Sequence, residues 1–406
     1  MSVVGGATRR RWLVVALVAL LLATLPAVVN ALPVRVPQTN LDQLIARIRG
    51  SAIQSYQGYA VSTGSAGLPA LPKLSDVSDL LDGETQLRVW YASSSRWRID
   101  IIGTGTERDT YQAPDRQTVW DYGRNQLAEI TGDAPLRLPQ GADFVPPDLA
   151  RRILAAVGTT TSGTNSSAGG RLSALPAQRI GGIAAAGVRI TPQNSQTTVA
   201  YVDIWADPAT GLPLQVAITG RGTTQPFLAS RFLEVNLSAP NAAVLTPPAA
   251  RPGISVVDTD ANDLLNTLLP FRLPPLQQFP DGQGGFVEIV PGVTGTMNGD
   301  GTWVYTPGTD TRKAFTAYGT GLAQFVVIEV SRQVGSEAMR QLTRAGAVPQ
   351  QFAHGDGVLI GTPLLSVLVM DDHPSRRNYL LVGLVNHERL RQAGADLSEF
   401  GPEGLR

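Results

Sequence analysis

The chain has 406 residues, with 33 lysines and arginines balanced by 33 aspartates and glutamates, and it has no cysteine. A chain of that length fits two or three domains and buries a real core without covalent staples. The lack of cysteine excludes disulfides, thiolate metal centres, a cysteine nucleophile and a lipid anchor on an N-terminal cysteine. Zero net charge argues against nucleic acid as a partner, because neutralising phosphates takes a surplus of lysine and arginine.

The 42 glycines and 29 prolines, with only 16% charged residues, read as a turn-rich and β-leaning chain. A hydrophobic fraction of 43% is too high for a disordered one. At the N-terminus, Arg9, Arg10 and Arg11 precede an uncharged run from Trp12 to Val29. Cations before an apolar run predict an export segment within residues 1–35. Two forms are open: a signal peptide cleaved near Ala31, or an uncut anchor helix. Either places the remainder outside the cytoplasm in a bacterial envelope, held by the helix or released.

Leu41, Leu44, Ile45 and Ile48 recur at helical spacing in a stretch from Leu41 to Tyr56, with Asn40 as its N-cap. Residues 57–63 alternate as a strand, and 64–82 read as a long loop. Five short strands follow, over Thr85–Tyr91, Arg96–Ile102, Glu107–Gln112, Gln117–Asp121 and Gln126–Ile130. Pro146-Pro147-Asp148 opens a helix to about Val157, since proline suits the first turn and aspartate the helix dipole. Strands resume after a flexible loop at 158–170 and end near Asn236. Residues 239–284 are proline-rich, with Asp260–Leu269 as a short helix. A second unit follows, with apolar strands at Phe325–Val330, Leu364–Met370 and Asn378–Leu384 and a last helix from Asn386. Its order suggests helices on one face of a sheet.

The catalytic inventory is thin. The three histidines, His354, His373 and His387, lie on a loop, a turn and a helix start. No hydrolase elbow or zinc-helix spacing occurs, and Gly319-Thr320-Gly321 precedes a strand rather than a phosphate-binding helix. Asp371-Asp372-His373 reads as a hairpin turn. Asp100, Glu107 and Asp109 are candidate acid–base carboxylates, but alternation sets Asp100 beside Arg96 and Arg98, which predicts a surface ion pair. No enzyme, cofactor or metal is expected. Apolar surface remains: Trp90, Trp97, Trp120 and Trp205 lie on strands, and with Ile99 and Ile101 they are the candidate lining of a hydrophobic cavity beneath a curved sheet.

The stretch Val202-Asp203-Ile204-Trp205-Ala206-Asp207-Pro208-Ala209-Thr210-Gly211-Leu212-Pro213-Leu214-Gln215 resembles the strand–turn–strand hairpin of the LolA-like lipoprotein-carrier superfamily. Trp90, Arg96–Asp100, Thr118–Tyr122 and Phe232–Asn236 are similar to further strands of that family, in its order. Tyr318–Glu329 and the ending around Leu380–Gly383 resemble the small second domain of the MucB/RseB-like regulators of envelope-stress sigma factors. The resemblance implies α+β architecture: a curved antiparallel open β-barrel (LolA-like) with covering helices over 36–238, a Pro-rich linker over 239–284 and a small C-terminal α+β domain over 285–406. It further implies a non-enzymatic sensor of acyl lipid or lipoprotein that holds a membrane-bound anti-sigma factor. The alternatives are a lipid or lipoprotein carrier, and an envelope interaction protein without a ligand.

Overall fold

A computed structural model describes residues 40–65, 80–103, 105–131, 139–158, 170–260, 315–373 and 377–400, three short strands between 288 and 305, and a few residues before 40. Most of the export segment, and all but the first residue of the helix expected at Asp260–Leu269, lie outside the described residues. Among the described residues no helix is long and apolar enough to cross a membrane.

Helix α1 (Leu41–Gly50) starts where the Asn40 side chain accepts a hydrogen bond from Asp42 N at 2.8 Å, and it buries Leu44, Ile45 and Ile48. It ends at Gly50 rather than near Tyr56. Tyr56 instead opens β1 (Tyr56–Ser65), stacked on Tyr91 with ring centroids 5.0 Å apart. Four hairpins continue through β2 (Asp82–Ser93), β3 (Arg96–Gly103), β4 (Thr106–Gln112), β5 (Arg116–Asp121) and β6 (Gln126–Thr131). Helix α2 (Pro146–Gly158) follows, led in by a 3-10 turn at Gly141–Phe144. Then come β7 (Gly170–Ile180), β8 (Ile183–Pro192), β9 (Val199–Ala206), β10 (Pro213–Gly220) and β11 (Pro226–Asn236).

These strands form one open sheet of twelve, in the order β12-β6-β5-β4-β3-β2-β1-β11-β10-β9-β8-β7, where β12 is Ser255–Asp260. All neighbours pair antiparallel except β12, which lies parallel on β6. The proline-rich stretch therefore remains attached to the large sheet as far as Asp260. The sheet is rolled. Gly181, at the β7–β8 turn, has its Cβ position 2.9 Å from Val235 Cγ1 of β11. In a flat sheet, strands three places apart lie about 14 Å from one another. Inside the roll, α1 and α2 share a single core with both halves of the sheet, from Leu87 and Ile99 to Val188 and Ile190.

The second sheet has the order β13-β16-β17-β21-β20-β19-β18. Its strands are β13 (Glu288–Val290), β16 (Phe315–Thr320), β17 (Ala323–Val330), β18 (Val348–Phe352), β19 (Gly355–Gly361), β20 (Ser366–Asp372) and β21 (Arg377–Gly383). A separate pair, β14 (Gly295–Met297) and β15 (Trp303–Tyr305), stands apart. Helix α3 (Arg332–Arg344) places Leu342 on Val358, Val367 and Val369. Helix α4 (His387–Phe400) places Leu390 and Ala393 on Leu359, Leu368 and Met370. Val367 and Leu368 are consecutive on β20, so the two helices cover opposite faces. This corrects the expected one-sided layer. The uninterrupted run Val367-Leu368-Val369-Met370 is apolar because both of its faces are covered.

The two sheet units meet in the first unit's core. Leu322, Leu364 and Leu384 belong to that core. Leu322 follows the tight turn Gly319-Thr320-Gly321 between β16 and β17, so this glycine pair serves a turn at the contact. Thr197 is fully buried, and its one hydroxyl proton lies within reach of both Leu322 O and Leu384 O, at 2.9 and 3.0 Å.

Candidate functional site

The register of β2 to β6 sorts their side chains into two faces. Leu87, Ile101, Arg108, Asp121 and Gln126 lie in one cross-strand row, and Val89, Ile99, Thr110, Val119 and Ala128 in the next. Both rows are on the inner, helix-covered face. Toward β2 and β3 this face is apolar and closed by α2 and its lead-in turn. Gly141 of that turn sits so close to β3 that a Cβ there would lie 2.7 Å from Ile101 Cγ1. Toward β6 the helices no longer reach the sheet, and a cavity of about 570 Å³ remains. Ile101, Val119, Ala128 and Ile130 give it an apolar wall, and Leu80 and Pro139–Gly141 close it from the other side. Its polar end carries Arg108, which pairs with Asp121 at 3.1 Å, and Arg124, which lies 3.7 Å from the same carboxylate. Against the opposing effect of burial, hydrogen bonds from the Arg124 N–H and the Arg108 guanidinium, with the charges of both arginines, hold the Asp121 carboxyl below its ordinary range. The volume lies in the range of small-molecule sites. The wall is apolar along one side and carries charged groups at Arg108, Asp121 and Arg124.

The six expected cavity residues divide between the faces. Ile101 lines the cavity. Ile99 and Trp97 share its face, with Ile99 buried in the core beside the cavity. Trp90, Trp120 and Trp205 point the other way, which corrects their expected place in the lining. Trp90 is on the row of Arg98, Trp120 on the row of Asp109, and Trp205 lies over the outer side of β8 with its indole N–H donated to Pro176 O at 3.0 Å. They are buried or half-buried all the same, because the outer face is covered too. Ile254, from the segment leading into β12, packs on Tyr111, Trp120 and Leu127.

That outer face also holds a charged network. Arg98 donates to both oxygens of Asp100, at 2.6 and 2.9 Å, and to Asp109 Oδ2 at 2.9 Å. Its guanidinium lies 4.9 Å from the Trp90 ring centroid and 4.8 Å from that of Tyr111. The ion pair expected on the surface exists, but both carboxylates are 0% exposed. Burial, and then the neighbouring Asp100, push the Asp109 carboxyl up to about 7, and burial raises Asp100 as well. Alternation could place Asp100 with Arg98. It could not show that a second layer covers them.

The family-like hairpin supports the inner layer. Asp207 accepts from Ala209 N, Thr210 N and Thr210 Oγ1, and its own N–H reaches Leu212 O at 2.9 Å. Gly211 takes φ +76°, and Leu212 and Leu214 return to the core fully buried. The turn rests on α1, where Arg47 donates to Pro208 O.

No family model matches the chain, and no curated relative matches it. Solved structures do. The complex of MucA and MucB from Pseudomonas aeruginosa is 17% identical, with a TM-score of 0.45 over 87% of this chain and 96% of that one. A structure of MucB solved under its own name gives 16% identity and a TM-score of 0.42 over 87% of this chain and 96% of that one. A LolA superfamily protein from Nitrosomonas europaea gives 9% identity and a TM-score of 0.20, covering 52% of this chain and 98% of its own. The cavity, with its polar residues Arg108, Asp121 and Arg124, is read from its own geometry. Sequence reasoning missed those three. Arg108 and Asp121 sit two residues from inner-face Thr110 and Val119, a signal that becomes usable once the inner face is known.

Proposed function

We propose that the chain is a non-enzymatic, extracytoplasmic binding protein. It holds an amphiphile, an acyl lipid or the acyl end of a lipoprotein, in the cavity under β3–β6. The observation that carries this reading is the volume of about 570 Å³ that the sheet's own side chains leave between Ile101, Val119, Ala128 and Ile130 and the Pro139–Gly141 segment. An acyl chain there gains roughly 0.8 kcal/mol for each CH₂ it removes from water. Arg108 and Arg124 face the end where a polar or anionic head would sit. The second sheet unit supports a sensor over a simple carrier. Its Leu322, Leu364 and Leu384 share one continuous core with Ile101 of the cavity wall, so a guest that shifts that core alters the unit that a partner protein would engage. The sequence resemblance gives the class of that partner, a membrane-bound anti-sigma factor.

Native mass spectrometry of the full chain purified from its host tests the reading. Wild-type protein carries acyl species, and Ile101→Asp and Val119→Asp each lose them while remaining folded by circular dichroism. An unpaired buried charge costs a few kcal/mol, so Val119→Trp, which fills the same space without charge, is the control for folding. Equal lipid load in all four proteins, or none in the wild type, contradicts the proposal.

A further inference from the structure

The outer face of β3 and β4 encloses a pair of carboxyls beneath a strap of chain. Asp100 and Asp109 lie opposite one another in register, both are 0% exposed, and Arg98 bonds both. The two carboxyls also hydrogen-bond to each other, which takes a proton on one of them. The strap is residues 252–260. Asn125 pins it, donating from Nδ2 to Gly253 O at 2.8 Å and accepting from Ser255 N at 3.1 Å. Ile254 of the strap packs on Tyr111 and Trp120. These two rings fence Asp109: Trp120 lies opposite it in register, and the Tyr111 hydroxyl donates to its Oδ2 at 3.4 Å. Past Ile254 the strap becomes β12, which ends the sheet beside β6 and leaves Ser255, Val256, Val257 and Asp258 exposed.

We propose that the strap is a pH-gated latch, closed on the outer face while the Asp100–Asp109 pair keeps its shared proton and lifted from β6 when that proton is lost. Without the proton, two carboxylates face one guanidinium and no water, an arrangement that like charges resist. Water reaches them most cheaply through the strap, because an edge strand opens locally more readily than strands inside a sheet. The surrounding groups do not relieve the charge. On β4, Glu107 adds a third carboxylate within 4.8 Å. On β2, Arg88 lies opposite Asp100 but is half-exposed and turned to Glu107 at 3.9 Å. Burial raises Tyr111 and Tyr122, which stay un-ionised, and the strap's own Arg251 and Asp258 are exposed. With the strap closed, burial and then the facing Asp100 hold the Asp109 proton to about pH 7. With the strap lifted, water returns the carboxyl toward its ordinary 3.8. Between those values the closed form keeps a proton that the lifted form gives up. Each rise in pH therefore favours lifting, by up to about tenfold per unit, and the effect levels off above about 7. The strap is where the chain leaves the first sheet toward the second unit, so lifting frees the near end of that connection. The latch is independent of whether the cavity takes a lipid.

Hydrogen–deuterium exchange of the full chain from pH 5 to 8, corrected for the intrinsic pH dependence of amide exchange, reads the latch. Protection of the β12 amides should fall at least about tenfold between pH 5 and 7 and stay level above. Amides of β1 and β11, in the middle of the same sheet, should keep theirs. Asp109→Asn, neutral at every pH, should hold β12 at its pH 5 protection throughout. Asp100→Asn neutralises the other member of the pair and should do the same, which keeps the test valid if Asp109→Asn does not fold. Protection of β12 that does not change with pH, a fall that β1 shares equally, or a fall that persists in whichever variant folds overturns the proposal.

Discussion

Single buried carboxyls decide how this chain responds to pH. Glu329 on β17 is 5% exposed and faces Arg377 at 3.4 Å, with Tyr379 beside it in register and Asp372 nearby. Burial pushes its carboxyl from 4.5 up to about 7, against the pull of Arg377. Between those values the folded chain keeps a proton that the unfolded chain gives up, so stability falls as pH rises through that window and levels off above it. The contribution is on the order of 3 kcal/mol at most. Urea unfolding from pH 4.5 to 8, followed on the second unit's transition, should show this decline. Glu329→Gln should remove most of it. A variant with the wild-type slope would place the proton elsewhere.

At the scale of elements, the β9–β10 hairpin shows how local chemistry fixes the inner layer. Gly211 sits at φ +76°, and its Cβ position is 2.4 Å from the Arg47 backbone carbon of α1. Gly211→Ala therefore strains the turn and pushes the helix off its seat. We expect about 2–3 kcal/mol of destabilisation by chemical denaturation, whereas alanine at the exposed Gly222, where nothing lies within 4 Å, meets only backbone strain and should cost less. The hairpin, α1's start and the strands from Thr85 to Ile130 were legible because turn residues, a cap and strict alternation state them locally. The inner and outer faces were not. Alternation separates Ile99 and Ile101 from Trp90 and Asp100, but it does not say which set meets the helices, and a covered outer face removes the polar contrast that would have told. The pairing of β12 on β6 is equally silent, because Ser255–Asp260 joins Gln126–Thr131 across more than a hundred residues and lies in a proline-rich context. In the second unit, the apolar run on β20 already carried the signal for two covered faces.

For the whole molecule, the rolled twelve-stranded sheet and the second unit are joined by side chains that belong to both. The Thr197 hydroxyl lies between two carbonyls of the second unit, Thr198 donates to Leu364 O, and a Cβ at Gly220 would lie 2.3 Å from Pro363 O. Such a contact is close-packed, so on the proposed reading a shift of the core beneath it would move the second unit. Whether that matters in the cell depends on the hollow under β3–β6 receiving a guest. Photo-crosslinking of the full chain with a diazirine-bearing fatty acid, followed by peptide mapping, tests this most directly. The account predicts labels concentrated on Ile101, Val119, Ala128, Ile130 and Pro139–Gly141, and suppressed by Val119→Trp. Labels on the outer face around Trp90 and Trp120, or a pattern that Val119→Trp leaves unchanged, would contradict it.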